Sequence, residues 1–280
     1  MISTPPILLA GAADYVGARL LQAFEEQHIP VRVLEGPQGP ASLKKALSGI
    51  HTVFYLPENT EYKPAENVAH ACAANKVQKI VYLGGLGAGS AKHSPYLLSR
   101  QKVGEIFLAS AIPVIEFRTS AILGPGSVAF ETIRALVERF PVLLMPRWLE
   151  TLTQPIAIED VIAYLLESVY YRGPSRVFEI GGPDQVSYGK LMREYARQRR
   201  LQRWMIALPL RAQSLSSRWL SFAAAYDPLK SRMIIETMSH PSVVAHPEAL
   251  KAFRVRPMDY SEAIAKAIRN EDTSIALGIS

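Results

Sequence analysis

Short apolar runs alternate with longer stretches of helical period through the first part of the chain. ILLA from Ile7, VRVL from Val31, TVFYL from Thr52, KIVYLGG from Lys79 and VIEF from Val114 are rich in β-branched residues and too short for buried helices, so they read as strands. Helical patterns fill the intervals. One runs out of the turn after ILLA to about Gln27, one from Ala65 to about Ala74, and one from Tyr96 to about Ser110, with Ser94 placed to cap it and Pro95 at its first position. Strands that alternate with helices build βαβ units, so the pattern predicts an α/β fold: a doubly wound, mostly parallel sheet of Rossmann type.

After LGPGS, which ends at Ser127, the alternation loosens. Helices are expected from about Val128, around IEDVIAYLLESVY, around SYGKLMREYARQRR and around YSEAIAKAIRN, with a short strand RVFEI followed by the loop GGPD. We expect residues 1–125 to form the Rossmann-like core. Residues 126–280 are expected to complete the sheet and to form a small lobe over the strands' C-terminal edge, the whole being a single compact unit. One crossover is missing: VRVLEG passes directly into PQGPASLKKAL, and Pro37 and Pro40 argue against a strand between them. The sheet is therefore expected to lack one edge strand of the order 3-2-1-4-5-6.

Composition narrows the partners. The 280 residues are 49% hydrophobic and 20% charged, as in an ordinary globular protein. ILLA begins close to Met1, which leaves no room for a secretion signal, and no apolar run reaches the ~18 residues of a spanning helix, so a cytoplasmic location is expected. Cys72 is alone, which excludes an internal disulfide and a multi-cysteine zinc site, and the histidines show no H-E-x-x-H spacing, so no metal is expected. The formal charge of +6 is densest in RQRRLQRW, at the end of a helical pattern where cations complement the helix dipole. That reading implies no nucleic-acid partner, while the amphipathic stretch Arg203–Leu210 leaves open a peripheral membrane or protein contact.

Five segments in order, GAADYVGARLL, KIVYLGGLG, SRQKVGEIFLASAIPVIEFRTSAILGPGS, TQPIAIEDVIAYL and RVFEIGGPDQVSYGKLM, together resemble the NmrA-like, atypical short-chain dehydrogenase/reductase family of NAD(P)H-binding Rossmann proteins. The resemblance extends to about Ile268. It implies a cofactor site at Gly11, Asp14, Tyr15, Val16, Gly17, Glu35 and Gly84. Relatives usually read G-A-T-G-Y-V-G where this chain reads GAADYVG, so a carboxylate replaces the glycine that lets the backbone approach a pyrophosphate. Asp14 has two readings: it caps the first helix through the amides of about Val16 and Gly17, filling the anion site, or the turn is rearranged enough to admit a dinucleotide. Glu35 reads either as a ribose ligand, which would favour NAD over NADP, or as a solvated loop acid.

The proton-transfer residues of the wider superfamily are a Ser, a Tyr and a Lys four positions beyond the Tyr. The nearest arrangement here is Tyr96 with Arg100, which share one helix face, while Gly84 and Gly85 stand where the serine is expected. Asp160 reads as a helix-start acid near the cleft, and Ser120 and Ser127 have no partner identifiable from spacing. The leading reading is a protein of this family with a degraded dinucleotide site, taking no cofactor or only weak NAD(P)H. It would bind a small molecule in the Rossmann cleft as an auxiliary protein or as a non-redox catalyst of cyclase or isomerase type. The alternatives are an NAD(P)H-dependent oxidoreductase, namely a reductase with an altered glycine turn, and a scaffold for a protein assembly.

Overall fold

The first part of the chain folds as alternating β1 (Ile7–Ala10), α1 (Tyr15–Glu26), β2 (Val31–Leu34), α2 (Pro40–Ala46), β3 (Thr52–Tyr55), α3 (Tyr62–Ala74), β4 (Lys79–Gly85), α4 (Pro95–Leu108) and β5 (Val114–Thr119). These elements come from a computed structural model that describes residues 6–35, 39–56, 62–87, 94–207 and 228–276. There follow β6 (Ile122–Leu123), α5 (Val128–Arg139), β7 (Val142–Met145), a 3-10 turn (Arg147–Glu150), β8 (Leu152–Thr153), β9 (Ile156–Ala157), α6 (Ile158–Ser168) and β10 (Arg176–Ile180). The chain continues with β11 (Val186–Ser187), α7 (Tyr188–Gln198), β12 (Trp204–Ala207), α8 (Pro228–Met238), α9 (Ala249–Ala252) and α10 (Tyr260–Ala276). Ser94 caps α4 as its position predicts, its hydroxyl accepting a hydrogen bond from the Leu97 amide at 3.4 Å, with Pro95 first in the helix.

Six parallel strands form the central sheet in the order β10-β5-β4-β3-β1-β2. The central strands β1 and β3 are buried throughout, whereas β2 is half-buried and forms one edge, as its mixed sequence VRVL requires. Among the described residues no strand lies beyond β2, so the expected edge strand is missing; β10, from the second part of the chain, closes the opposite edge. The order 2-1-3-4-5 is the other common doubly wound arrangement, and its direction reverses between β1 and β3. The crevice that such a reversal opens therefore lies at the carboxyl ends of β1 and β3.

Three apolar clusters hold the layers. On one face of the sheet α1 and α6 cover Leu9, Phe54, Val81, Ile115 and Phe117. On the other face α2, α3 and α4 cover Leu8, Val53, Tyr82 and Val114, with Cys72 buried as a small apolar residue whose thiol burial drives its pKa up to about 12. The third cluster joins α5, α7, α8 and α10 through Phe130, Leu136, Tyr195, Ile235 and Ile264. At the amino end of β4 the buried Lys79 ammonium donates to the carbonyls of Ser168, Val169 and Tyr171 at 2.7, 2.8 and 3.2 Å, closing the C-terminus of α6. Among the described residues no helix is long and apolar enough to cross a membrane.

Candidate functional site

The turn after β1 is shaped by two glycines. Gly11 has φ 86°, in the left-handed region, and a Cβ on Gly17 would lie 2.7 Å from the Gly11 carbonyl carbon and nearer still to its oxygen. Helix α1 thus starts hard against the strand end, which is the close approach a diphosphate turn needs. Asp14 is the N-cap by backbone geometry (φ −82°, ψ 161°), and its carbonyl accepts from the Ala18 amide at 2.8 Å. Its side chain makes no capping hydrogen bond, which corrects the expectation that it bonds the amides near Val16 and Gly17. The carboxylate leaves these amides as donors at the positive end of a long helix.

The first helical residue is held from above. The Tyr15 ring lies under the Gly124–Gly126 loop, close enough that a Cβ on Gly126 would touch it at 3.4 Å, and burial pushes the Tyr15 phenol's pKa up. Arg19 reaches over the same ring at 5.5 Å and donates to the Pro125 carbonyl at 3.1 Å. Val16 and Gly17 are buried behind it. Glu35 is exposed just past the end of β2, next to the switch point. Arg32, on the same strand, donates to the carbonyls of Ala46 at 2.5 Å and Ser48 at 3.0 Å, so α2 is tied to this edge in place of the absent crossover.

Tyr96 and Arg100 do meet. The Arg100 Nη1 donates to the Tyr96 hydroxyl at 3.2 Å, its guanidinium lies 5.6 Å from the Tyr96 ring centre, and its Nη2 donates to the Leu83 carbonyl. Arg100 is buried against the carboxyl end of β4, whereas Tyr96 is half-buried. A Cβ on Gly85 would lie 2.7 Å from Leu97 Cδ2 and 3.6 Å from Arg100 Cδ, so the serine position is filled from α4. Gly84 has a packing reason of its own: a Cβ there would lie 2.6 Å from Glu116 Oε1, and one on Gly104 2.7 Å from Oε2. The fully buried Glu116 carboxylate slots between these glycines, accepts from Arg118 at 2.7 and 3.1 Å, and is pushed up in pKa by burial against the pull of that guanidinium.

Ser120 has no partner by sequence spacing; the fold gives it two. Its Oγ is 2.5 Å from Thr153 Oγ1 and 2.6 Å from Ser242 Oγ. The buried Tyr188 hydroxyl lies beside all three hydroxyls, and burial drives its pKa up against their pull. No spacing rule could have assembled residues contributed by the loop after β5, by β8, by α7 and by the segment after α8. Ser127 instead caps α5, accepting from Phe130 N at 3.2 Å. Of the basic amphipathic stretch, Trp204 is 75% and Ile206 50% exposed on β12, while Leu208, Pro209 and Leu210 lie outside the described residues.

Asp160 lies in the first turn of α6, and its Oδ2 accepts from the Met258 amide at 3.0 Å, pinning the final lobe to the sheet's helical cover. Burial raises its pKa from 3.8 to about 6, against the opposing pull of that amide. A folded-state pKa above the unfolded one contributes stability that is present below the unfolded value and lost as pH rises through about 6. Asp160→Asn, which keeps an acceptor for Met258, should therefore gain in melting temperature relative to wild type between pH 4 and pH 7. Parallel thermal scans check this, and an unchanged difference between the two proteins at both pH values contradicts it.

No protein-family model matches the chain, and no curated protein does. Solved structures do match its fold. The NADPH-dependent quinone oxidoreductase QOR2 of Escherichia coli, complexed with NADPH, matches with TM-score 0.75 at 15% identity, over 94% of this chain and 99% of that one. The triphenylmethane reductase of Citrobacter sp., complexed with NADP(H), matches with TM-score 0.73 at 14% identity over 94% and 99%. MoeE5, in complex with UDP-glucose and NAD, matches with TM-score 0.74 at 15% identity over 96% and 99%. The chain thus has the Rossmann-type fold that the sequence resemblance implied. The expectation of no cofactor or only weak NAD(P)H is corrected on two grounds: solved structures of this fold hold NAD or NADPH, and the self-capped turn that motivated it is not formed.

Proposed function

We propose that the chain is an NAD(P)H-dependent reductase with an altered glycine turn. The observation that carries this reading is the Gly11–Gly17 turn, packed to backbone contact, with the α1 amides left uncapped by the Asp14 carboxylate. Those amides and Gly11 would hold the diphosphate at the β1/β3 switch point, and Glu35 would accept from the ribose hydroxyls. An acid there repels a 2′-phosphate, which favours NADH over NADPH. The degraded-site reading drew on Asp14 filling the anion site, and that support is lost because the side chain makes no capping hydrogen bond.

The bound cofactor supplies a hydride for addition to an electrophilic carbon, and the protein's residues handle the accompanying proton. Tyr96 would give its phenolic proton to the oxygen that gains electrons. Arg100, donating to the Tyr96 hydroxyl, stabilises the phenolate that remains until solvent reprotonates it. The balance is one carbonyl, one hydride and one proton giving one alcohol. Arg100 is fixed by the Leu83 carbonyl, so it positions Tyr96 with a rigid fork where a lysine would supply a mobile point charge.

Isothermal titration with NADH and NADPH tests the cofactor site. We expect saturable micromolar binding with NADH the tighter, and Glu35→Gln should narrow the preference by about tenfold or more, the worth of one charge contact. Absence of binding by both dinucleotides would overturn the reading.

A further inference from the structure

The segment Ser239–His246, between α8 and α9, runs across the carboxyl ends of three sheet strands. The Pro241 carbonyl oxygen is 2.8 Å from where a Gly87 Cβ would stand, just past β4, and Gly87 has φ 93°. Ser242 meets Ser120, just past β5, through the 2.6 Å hydroxyl contact. The amides of Ala245 and His246 donate to Glu179 Oε2 on β10 at 2.7 and 2.9 Å. The strap thus covers the ends of β4, β5 and β10. Gly85, two residues before Gly87, packs on Arg100, so the strap crosses within about 7 Å of chain from the Tyr96–Arg100 pair.

The strap is held by hydrogen bonds and not by apolar burial. Between Met238 and Ala249 only Ser242 is buried; Pro241, Ala245 and His246 are exposed. Its backbone ties to β8 are the Ser242 amide donating to the Leu152 carbonyl and the Gln154 amide donating to the Ser242 carbonyl, both at 3.0 Å. The Val244 amide relies on a side chain, Gln154 Oε1 at 2.9 Å. With one buried residue the segment gives up little apolar contact when it opens, and its cost of opening is set by hydrogen bonds that water can replace. Removing Ser242 would leave the hydroxyls of Ser120, Thr153 and Tyr188 facing the space it vacates. The adjoining Thr119 hydroxyl is also buried and has no hydrogen-bond partner among the described residues.

We propose that this strap gates the substrate side of the cleft, with Ser242 as its latch, and that the hydroxyls of Ser120, Thr153 and Tyr188 receive a neutral carbonyl or alcohol oxygen when it opens. The inference rests on the reductase reading for its substrate class. The chemistry fits a redox pair: reduction turns an oxygen that only accepts hydrogen bonds into one that also donates, and hydroxyl side chains can do both. No charged side chain belongs to the cluster, so a carboxylate or phosphate at that point would be desolvated without a counter-charge.

Hydrogen–deuterium exchange on the full chain tests the latch without any ligand. Ser242→Ala should speed exchange of the Val244, Ala245 and His246 amides about tenfold, since it removes one to two hydroxyl contacts. Its NADH affinity should stay within about twofold of wild type, because the strap's bonds run to β8, β10 and Ser120. With menadione as a neutral carbonyl probe, Ser242→Ala should lower KM at nearly constant kcat, whereas Thr153→Val should raise KM. Wild-type exchange rates in Ser242→Ala overturn the gate, and unchanged KM in both variants overturns the oxygen site. Failure of wild type to bind NADH overturns the reductase reading separately, leaving the exchange rates to decide the strap.

Discussion

Gly17→Ala is expected to cost the protein about 3 kcal/mol or more and to abolish dinucleotide binding. Any side chain there enters the Gly11 carbonyl, and the obstacle is backbone, which cannot rotate aside as a flexible side chain would. The added methyl must push α1 away from β1, lifting Val16 and Leu20 out of the apolar layer against Phe54 and opening the turn whose amides face the crevice. Gly39→Ala is the matched control: its nearest contact would be Ser42 Oγ at 4.0 Å, so its cost should stay within about 1 kcal/mol. Urea unfolding of the three proteins, with NADH titrations beside it, measures both effects. A Gly17→Ala protein that unfolds at the wild-type midpoint would show that the two glycines are not in contact in solution.

What made the fold legible was the alternation itself. ILLA, TVFYL and KIVYLGG are buried on both faces, and such strands announce themselves by unbroken apolar sequence. The missing edge strand was equally visible, because Pro37 and Pro40 leave too little chain between β2 and α2. The site was only half legible. Tyr96 and Arg100 could be paired because i,i+4 residues on a helix must be neighbours, and the structure brings them to 3.2 Å. The hydroxyl cluster could not, since Ser120 and Ser242 are 122 positions apart and become neighbours only when the strap crosses the sheet. Asp14 was misjudged for a different reason. Residue type and position both favour an N-cap, yet capping needs the side chain to fold back on the first turn, a rotamer choice that sequence does not encode.

That choice leads to the second large effect. Asp14→Asn is expected to tighten NADH binding by about tenfold while changing stability by less than about 1 kcal/mol. A carboxylate about 5 Å from one phosphate charge at an effective dielectric near 20 opposes binding by about 3 kcal/mol, and solvent and salt around this half-buried residue reduce that penalty by about half. Asparagine keeps the length of the side chain, so the gain isolates charge from bulk; Asp14→Gly removes both and should bind at least as tightly. Because the carboxylate makes no capping bond, neither change removes a helix-end hydrogen bond. Raising salt should narrow the gap between wild type and Asp14→Asn, as screening weakens a repulsion that only the wild type carries. Calorimetric titrations with NADH at low and high ionic strength, with thermal melts of the same samples, decide the matter. Equal affinities would show that the diphosphate lies away from Asp14. A loss of more than about 1 kcal/mol in stability would show that the carboxylate caps α1 in solution, so that the cofactor competes with it for the same amides.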